Sequence, residues 1–120
     1  NSGFGEAYYN RGLVLGANRE YDQSLQDLNQ AVKLIGNQPR VFFTRGTVYY
    51  KKKQADKAMA DFNKAIQMAP NFSKAYYARS VVLGEAGEFT RALEDAEKSK
   101  ELGYPIQEAY LAGLRAQAKK

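Results

Sequence analysis

The chain of 120 residues contains no cysteine, no histidine and no tryptophan. Without cysteine it can form no disulfide bond and offers no thiolate nucleophile. Without histidine it lacks the commonest metal ligand and the commonest general base in proteins. Phosphate-binding glycine motifs and zinc-ligand spacings are missing as well. The composition therefore favours a protein that is not an enzyme, and we expect no cofactor and no metal.

Proline is scarce, with three residues. No apolar run is long enough to cross a bilayer, so no membrane insertion is expected. The net charge of +5 lies in the range that keeps a small domain in solution, and does not by itself indicate a nucleic-acid partner. The chain begins at Asn1 without a signal-type segment, which favours a fragment or a processed product. The compartment stays open, with the cytoplasm slightly favoured.

An aromatic residue recurs every 34 residues along the chain, at Tyr8, Phe42, Tyr76 and Tyr110. Small and large residues repeat with the same period, and within each period two stretches of apolar residues have helical spacing around a short polar break. Each period ends in glycine or proline, which stop helices. The repeating columns are Gly12, Gly46 and Ser80; Leu15, Tyr49 and Leu83; Ser24, Ala58 and Ala92.

This pattern predicts seven helices and no strand. In the turns, Asn18 and Gly87 are the residues expected to adopt the left-handed conformation that ends a helix. The second turn offers only lysines there and is expected to be the most strained or mobile of the three. The predicted helices cover residues 5–17, 21–34, 39–52, 55–68, 72–86, 89–102 and 106–119.

A helix–turn–helix unit of this period, about 34 residues, with these columns resembles the tetratricopeptide repeat family. The resemblance implies a single all-α domain over residues 1–120, built as a right-handed superhelical solenoid. It would contain three tetratricopeptide-type helix–turn–helix repeats, at about 5–38, 39–72 and 73–106, plus a C-terminal capping helix at about 106–119. The departures from the family's usual residues are modest. Tyrosine or phenylalanine stands where the family often has tryptophan, Gly36 stands in place of the usual terminal proline, and Ser80 stands in place of a glycine.

The aromatic is doubled in each repeat, and neighbouring helical residues face directions about 100° apart. Tyr8 shares a face with the small-residue column and is predicted to pack between helices. Tyr9 begins the other column, which the resemblance places on the concave side of the superhelix. Truncating Tyr9 is therefore expected to affect binding more than stability.

The resemblance implies a protein–protein interaction scaffold that binds a protein or peptide segment in this concave groove. Aromatic anchors and a mostly basic rim favour a segment with apolar anchors and acidic flanks. The predicted groove residues are Tyr9, Leu13, Arg40, Phe43, Thr47, Tyr50, Lys51, Lys74, Tyr77, Val81, Leu111 and Arg115.

An arginine precedes an aspartate by the same interval in each repeat, and the two lie equally far from the predicted turn. This spacing places the two side chains at matching heights on antiparallel helices. We expect structural ion pairs rather than a functional site. The predicted pairs are Arg11 with Asp27, Arg45 with Asp61, and Arg79 with Asp95.

Some members of the resembled family grip a peptide's terminal carboxylate with five polar residues. The matching positions here are held by Tyr9, Leu13, Thr44, Lys74 and Ala78, of which only Lys74 fits, so this binding mode is not expected. Self-assembly into homo-oligomers through terminal helices stays open. Binding of single-stranded nucleic acid is less favoured, because the groove contains Leu13, Val81 and Leu111.

Overall fold

The structure is a computed structural model that describes the backbone of residues 2–120 and the side chains of residues 3–120. These residues form seven α-helices and no strand, which confirms the prediction. The last helix begins two residues later than predicted, because the backbone of Gln107, the residue before its first turn, is extended. The helices are α1 Ser2–Ala17, α2 Tyr21–Ile35, α3 Pro39–Lys51, α4 Ala55–Met68, α5 Ser73–Glu85, α6 Phe89–Glu101 and α7 Glu108–Ala118.

The helices belong to two compact units, of which the first ends at Met68 and the second spans Ala69–Lys120. In the first unit, α1 pairs with α2, α3 pairs with α4, and α2 also packs against α3. In the second unit, α5 pairs with α6, and α7 packs against α6. Short turns join the paired helices, so each pair is a helical hairpin.

Glycine lets the two helices of a hairpin approach closely in the first unit. A Cβ atom added at Gly12 would lie 2.8 Å from Cγ of Leu28, and one added at Gly46 would lie 2.8 Å from Cε1 of Phe62. The hydroxyl of Ser24 uses this closeness to donate a hydrogen bond to the carbonyl of Gly12, at 2.7 Å. Around this seam lies the core cluster of Tyr9, Leu25, Leu28, Ala31, Ile35, Val41 and Val48.

The second unit has its own buried set of mostly small residues. Ser99 is fully buried and donates from Oγ to the carbonyl of Ser73, at 2.8 Å, which fastens the hairpin near its open end. The hydroxyls of Ser80 and Tyr110 lie 2.7 Å apart and link the hairpin to α7. The buried apolar residues of this unit are Ala75, Val82, Leu83, Ala92, Ala96, Leu111 and Leu114.

The three hairpin turns place a left-handed residue at the same point of the repeat. Arg19 and Lys53 both have φ of +66°, and Gly87 has φ of +82°. The expectation that Asn18 takes this conformation is wrong, because the backbone hydrogen bond from Glu20 to the carbonyl of Leu15 sets the turn one residue later. The first and second turns therefore both carry a non-glycine residue in a conformation that glycine adopts more easily. The expectation that the second turn is the most strained is wrong, because Arg19 and Lys53 have the same φ.

Replacing Lys53 with glycine is expected to raise the free energy of unfolding by up to about 1 kcal/mol, because the clash of Cβ with the backbone disappears. Arg19→Gly should act in the same direction. Urea denaturation checks both variants, with Gly87→Ala as the control that should destabilise. A loss of stability in both glycine variants would contradict this account of the turns.

Candidate functional site

Each arginine of the three predicted pairs forms two hydrogen bonds to its aspartate. Each of the three helical hairpins therefore contains one bidentate ion pair. The shortest nitrogen–oxygen distances are 2.7, 2.8 and 2.7 Å, and the carboxylates are largely buried. Hydrogen bonding to Asp61 raises the pKa of Arg45. These carboxylates are therefore occupied within the hairpins. The pairs are Arg11–Asp27, Arg45–Asp61 and Arg79–Asp95.

The second aromatic column begins with a residue that is not exposed. Tyr9 is 6% exposed and belongs to the core cluster of the first unit. Its hydroxyl lies 3.0 Å from Oγ1 of Thr44, and the guanidinium of Arg40 lies 4.5 Å from its ring centroid. The expectation that Tyr9 is open and Tyr8 is the buried aromatic is wrong, because α3 packs onto the side of α1 that carries Tyr9, while Tyr8 is only partly buried.

The other members of this column differ in depth. Phe43 is half-buried, with its ring centroid 5.9 Å from that of Phe62. Tyr77 is half-buried in the second unit, 5.1 Å from the ring of Tyr104 and 5.5 Å from that of Tyr110. Burial raises the pKa of the Tyr110 hydroxyl. Half-buried aromatics of this kind keep an accessible edge that a ligand can contact.

Leu111 was predicted to line the open groove, and this placement is wrong. Its side chain is 1% exposed and lies among the largest fully buried side chains of the protein. The reason is that α7 turns Leu111 and Leu114 inward, and α7 packs against α6. Of the other predicted groove residues in the second unit, Val81 is half-buried and Lys74 is exposed.

Four predicted groove residues meet in one depression of the first unit, with a volume of about 230 Å³. Thr47 donates from Oγ1 to the carbonyl of Phe43, and the hydroxyl of Thr44 is held by Tyr9, so the polar groups of the floor are satisfied internally. An apolar surface is left for a ligand. The depression is lined by the predicted Leu13, Phe43, Thr47 and Lys51, together with Gly16, Ala17, Thr44 and Val48.

Sequence reasoning did not assign Gly16 and Val48 to the groove. A Cβ atom added at Gly16 would lie 3.2 Å from both Cγ2 of Val48 and Oγ of Ser24, so the missing side chain keeps the depression open toward α3. The signal available in the sequence was the small residue three positions after Leu13, on the same face of α1.

The basic rim is partly neutralised within the protein. Arg40 lies 2.6 Å from the carboxylate of Glu6, which lowers the pKa of Glu6 through hydrogen bonding. Arg115 lies 2.8 Å from Glu108 in the second unit. Lys51, by contrast, makes no ion pair within residues 2–120, although the neighbouring Lys52 pairs with Asp22. Lys51 is therefore the cation at the depression that can still bind an anion.

Within the described part of the chain, no group of three or more acidic side chains is placed to hold a metal ion. No helix there is both long and apolar enough to span a membrane. The features that stand out are repeated hairpins, an apolar depression and a nearby cation.

Repeated helical hairpins of this kind define a helical-repeat protein. Tetratricopeptide-repeat family models match residues 5–38 and residues 39–72, which together exceed half of the chain. The chain belongs to the tetratricopeptide repeat family, and its all-α repeat fold is the predicted one. The family is generally a non-catalytic protein-interaction module. A comparison with curated proteins finds no match.

Solved tetratricopeptide-repeat domains share this fold at low sequence identity. One is the first such domain of Spaghetti (RPAP3), bound to the HSP90 peptide SRMEEVD, with 21% identity over 99% of this chain and 94% of that chain and a TM-score of 0.88. The Sgt2 domain from Aspergillus fumigatus has 23% identity over 96% and 77%, with a TM-score of 0.82. The Arabidopsis OM64 domain has 18% identity over 93% and 94%, with a TM-score of 0.88.

Proposed function

We propose that this protein is a non-catalytic scaffold, and that the depression of the first unit binds a peptide segment of a partner protein. The observation that carries the proposal is the apolar floor between Leu13 and Phe43, with the cation of Lys51 at its rim. At about 230 Å³ the depression is smaller than a typical pocket for a drug-sized ligand, roughly 300–1,000 Å³. It suits one or two side chains of a peptide.

The ligand chemistry follows from the groups that line the depression. Leu13 is exposed although it is a large apolar residue, and Phe43 presents a half-buried ring beside it, so an apolar side chain of the partner would bury both. Lys51 would then favour an aspartate or glutamate next to that anchor. We expect the partner segment to combine one large apolar residue with an acidic neighbour.

A terminal carboxylate is not the expected anchor. Among the positions that grip such a group in some family members, Tyr9 and Thr44 here bond to one another, and Tyr9 is buried. Leu13 is apolar and can form no hydrogen bond with its side chain. The solved neighbour that carries an HSP90 peptide supports peptide binding as a class of function.

Binding of single-stranded nucleic acid is the weaker candidate. A backbone-tracking groove needs several available cations along its length. Arg40 and Arg115 are both engaged by carboxylates of the protein, which leaves few cations for phosphates.

Selection from a displayed random-peptide library tests the proposal. The selected peptides should share a large apolar residue beside an acidic one. Leu13→Asp should weaken their binding at least about 10-fold, because it places a charge on the apolar floor. Lys51→Glu should weaken it about 3–10-fold at low salt and less at high salt.

Two neighbouring residues provide matched controls for this experiment. Val14→Asp introduces the same charge one position along α1, on a different side of the helix, and Lys53→Glu reverses a charge outside the depression. Both should leave peptide affinity unchanged. Selected peptides that bind Leu13→Asp as tightly as the unaltered protein would exclude the depression as the binding site.

A further inference from the structure

An ion pair bridges α1 and α3, the two helices that border the depression of the first unit. Nη2 of Arg40 donates hydrogen bonds to both carboxylate oxygens of Glu6, at 2.7 and 2.6 Å. Nε of Arg40 donates to Oε1 of Gln38, at 2.7 Å. Both charged side chains are partly exposed, 40% for Glu6 and 44% for Arg40, so a ligand bound between the two helices can reach them.

The ion pair is connected to the depression by two contacts. The guanidinium of Arg40 lies 4.5 Å from the ring centroid of Tyr9, and the Tyr9 hydroxyl lies 3.0 Å from Oγ1 of Thr44, which lines the depression. Lys51 lines the depression near the other end of α3. At a rise of about 1.5 Å per residue, the Cα atoms of Arg40 and Lys51 are about 16 Å apart along the helix. An extended peptide spans this distance with about five residues.

The two ends of this surface differ in net charge, although each carries a cation. Lys51 makes no ion pair among the residues that the structure describes, so its end offers one positive charge. At the other end, the carboxylate of Glu6 neutralises the guanidinium of Arg40. A ligand carboxylate near Arg40 would be repelled by Glu6, and this repulsion would offset the attraction. A second acidic residue of the partner therefore gains no affinity there.

We infer that Glu6 determines the charge specificity of the depression, because it limits the partner to one useful acidic residue. This inference rests on the proposed function, since it concerns the same binding site. The acidic residue of the partner lies next to its apolar anchor, at Lys51, and an acid about five residues away adds no affinity. Removing the charge of Glu6 turns Arg40 into a second anion-binding position, and the site then prefers a partner segment with two acids.

Glutamate scanning of a selected peptide tests the inference. The tightest-binding peptide from the library selection is synthesised with glutamate or glutamine at each position on both sides of its apolar anchor. The unaltered protein should prefer glutamate about 3–10-fold next to the anchor at low salt, and by no more than about 2-fold five residues further away. Glu6→Gln keeps the size of the side chain and removes its charge. It should add a preference of about 3–10-fold for glutamate at the distant position.

Two further variants show whether the new preference arises at Arg40. Glu108→Gln is the matched control, because it changes the net charge equally and removes the partner of Arg115 in the second unit. It should leave every preference as in the unaltered protein. Glu6→Gln combined with Arg40→Gln should lose the preference for the distant glutamate, because the second cation is then missing.

The outcomes separate this inference from the proposed function. The inference is overturned, while the proposed function stands, if Glu6→Gln gains no preference for a distant glutamate or if the unaltered protein already has one. It is also overturned if the preference survives in the double variant. Failure of the library to yield any peptide whose binding is weakened by Leu13→Asp would overturn the proposed function, and this inference with it.

Discussion

Replacing Phe62 with alanine is expected to lower the free energy of unfolding by about 3–5 kcal/mol, the usual range for a buried aromatic. Phe62 is the largest fully buried side chain of the protein. Its ring lies against Gly46, where even an added Cβ would be only 2.8 Å away, and its centroid is 5.9 Å from that of Phe43. Truncation would leave a cavity that the rigid hairpin of α3 and α4 cannot close. Urea denaturation measures the loss.

Phe4→Ala is the matched control, because Phe4 is the most exposed large apolar side chain described. Its loss should change the free energy of unfolding by no more than about 0.5 kcal/mol. Equal losses in the two variants would show that the α3–α4 hairpin does not depend on the seam between Gly46 and Phe62.

The fold could be predicted because the same pattern of small, large and helix-ending residues recurs in successive repeats. Gly12 and Gly46 belong to one repeating column of small residues, and at both positions an added Cβ would be crowded, by Leu28 and Phe62 respectively. Helix ends were predictable from prolines and glycines, which act through the local backbone. These features depend on residues close in sequence or on a fixed period, so a single chain reveals them.

The turns could be located but not resolved to the residue. Asn18 has the better left-handed propensity, yet Arg19 takes that conformation, as does Lys53 one period later. The hydrogen bonds that close the turn fix its position, and this constraint exceeds the preference of any one side chain. The left-handed propensity of single residues therefore predicted Asn18 instead of Arg19.

The site was predicted less well than the fold. A period shows which residues share a direction, but not how deeply a neighbouring helix covers them. Leu13 and Phe43 line the depression, whereas Tyr9 and Leu111, which occupy the same column of the repeat as Phe43, are buried. The pairing of Arg40 with Glu6 joins residues of different repeats, and no spacing rule within one repeat indicates it.

Replacing Tyr9 with alanine is expected to lower the free energy of unfolding by about 3–5 kcal/mol, the reverse of what its place in the repeat suggested. The ring belongs to the core cluster, under the guanidinium of Arg40, and its hydroxyl bonds to Thr44. Tyr8→Ala should cost distinctly less, because Tyr8 is only partly buried. Thermal and urea denaturation of the two variants compare neighbouring tyrosines on one helix.

The contribution of the Tyr9 hydroxyl to stability can be measured separately from that of its ring. Tyr9→Phe leaves the buried Oγ1 of Thr44 without a partner, and should cost about 1–3 kcal/mol. Thr44→Val should cost a similar amount for the same reason. The double variant removes both polar groups and should be more stable than the two single losses predict when added together, because no unpaired hydroxyl stays buried. Additive losses would mean that the 3.0 Å contact between the two hydroxyls does not stabilise the packing of α1 against α3.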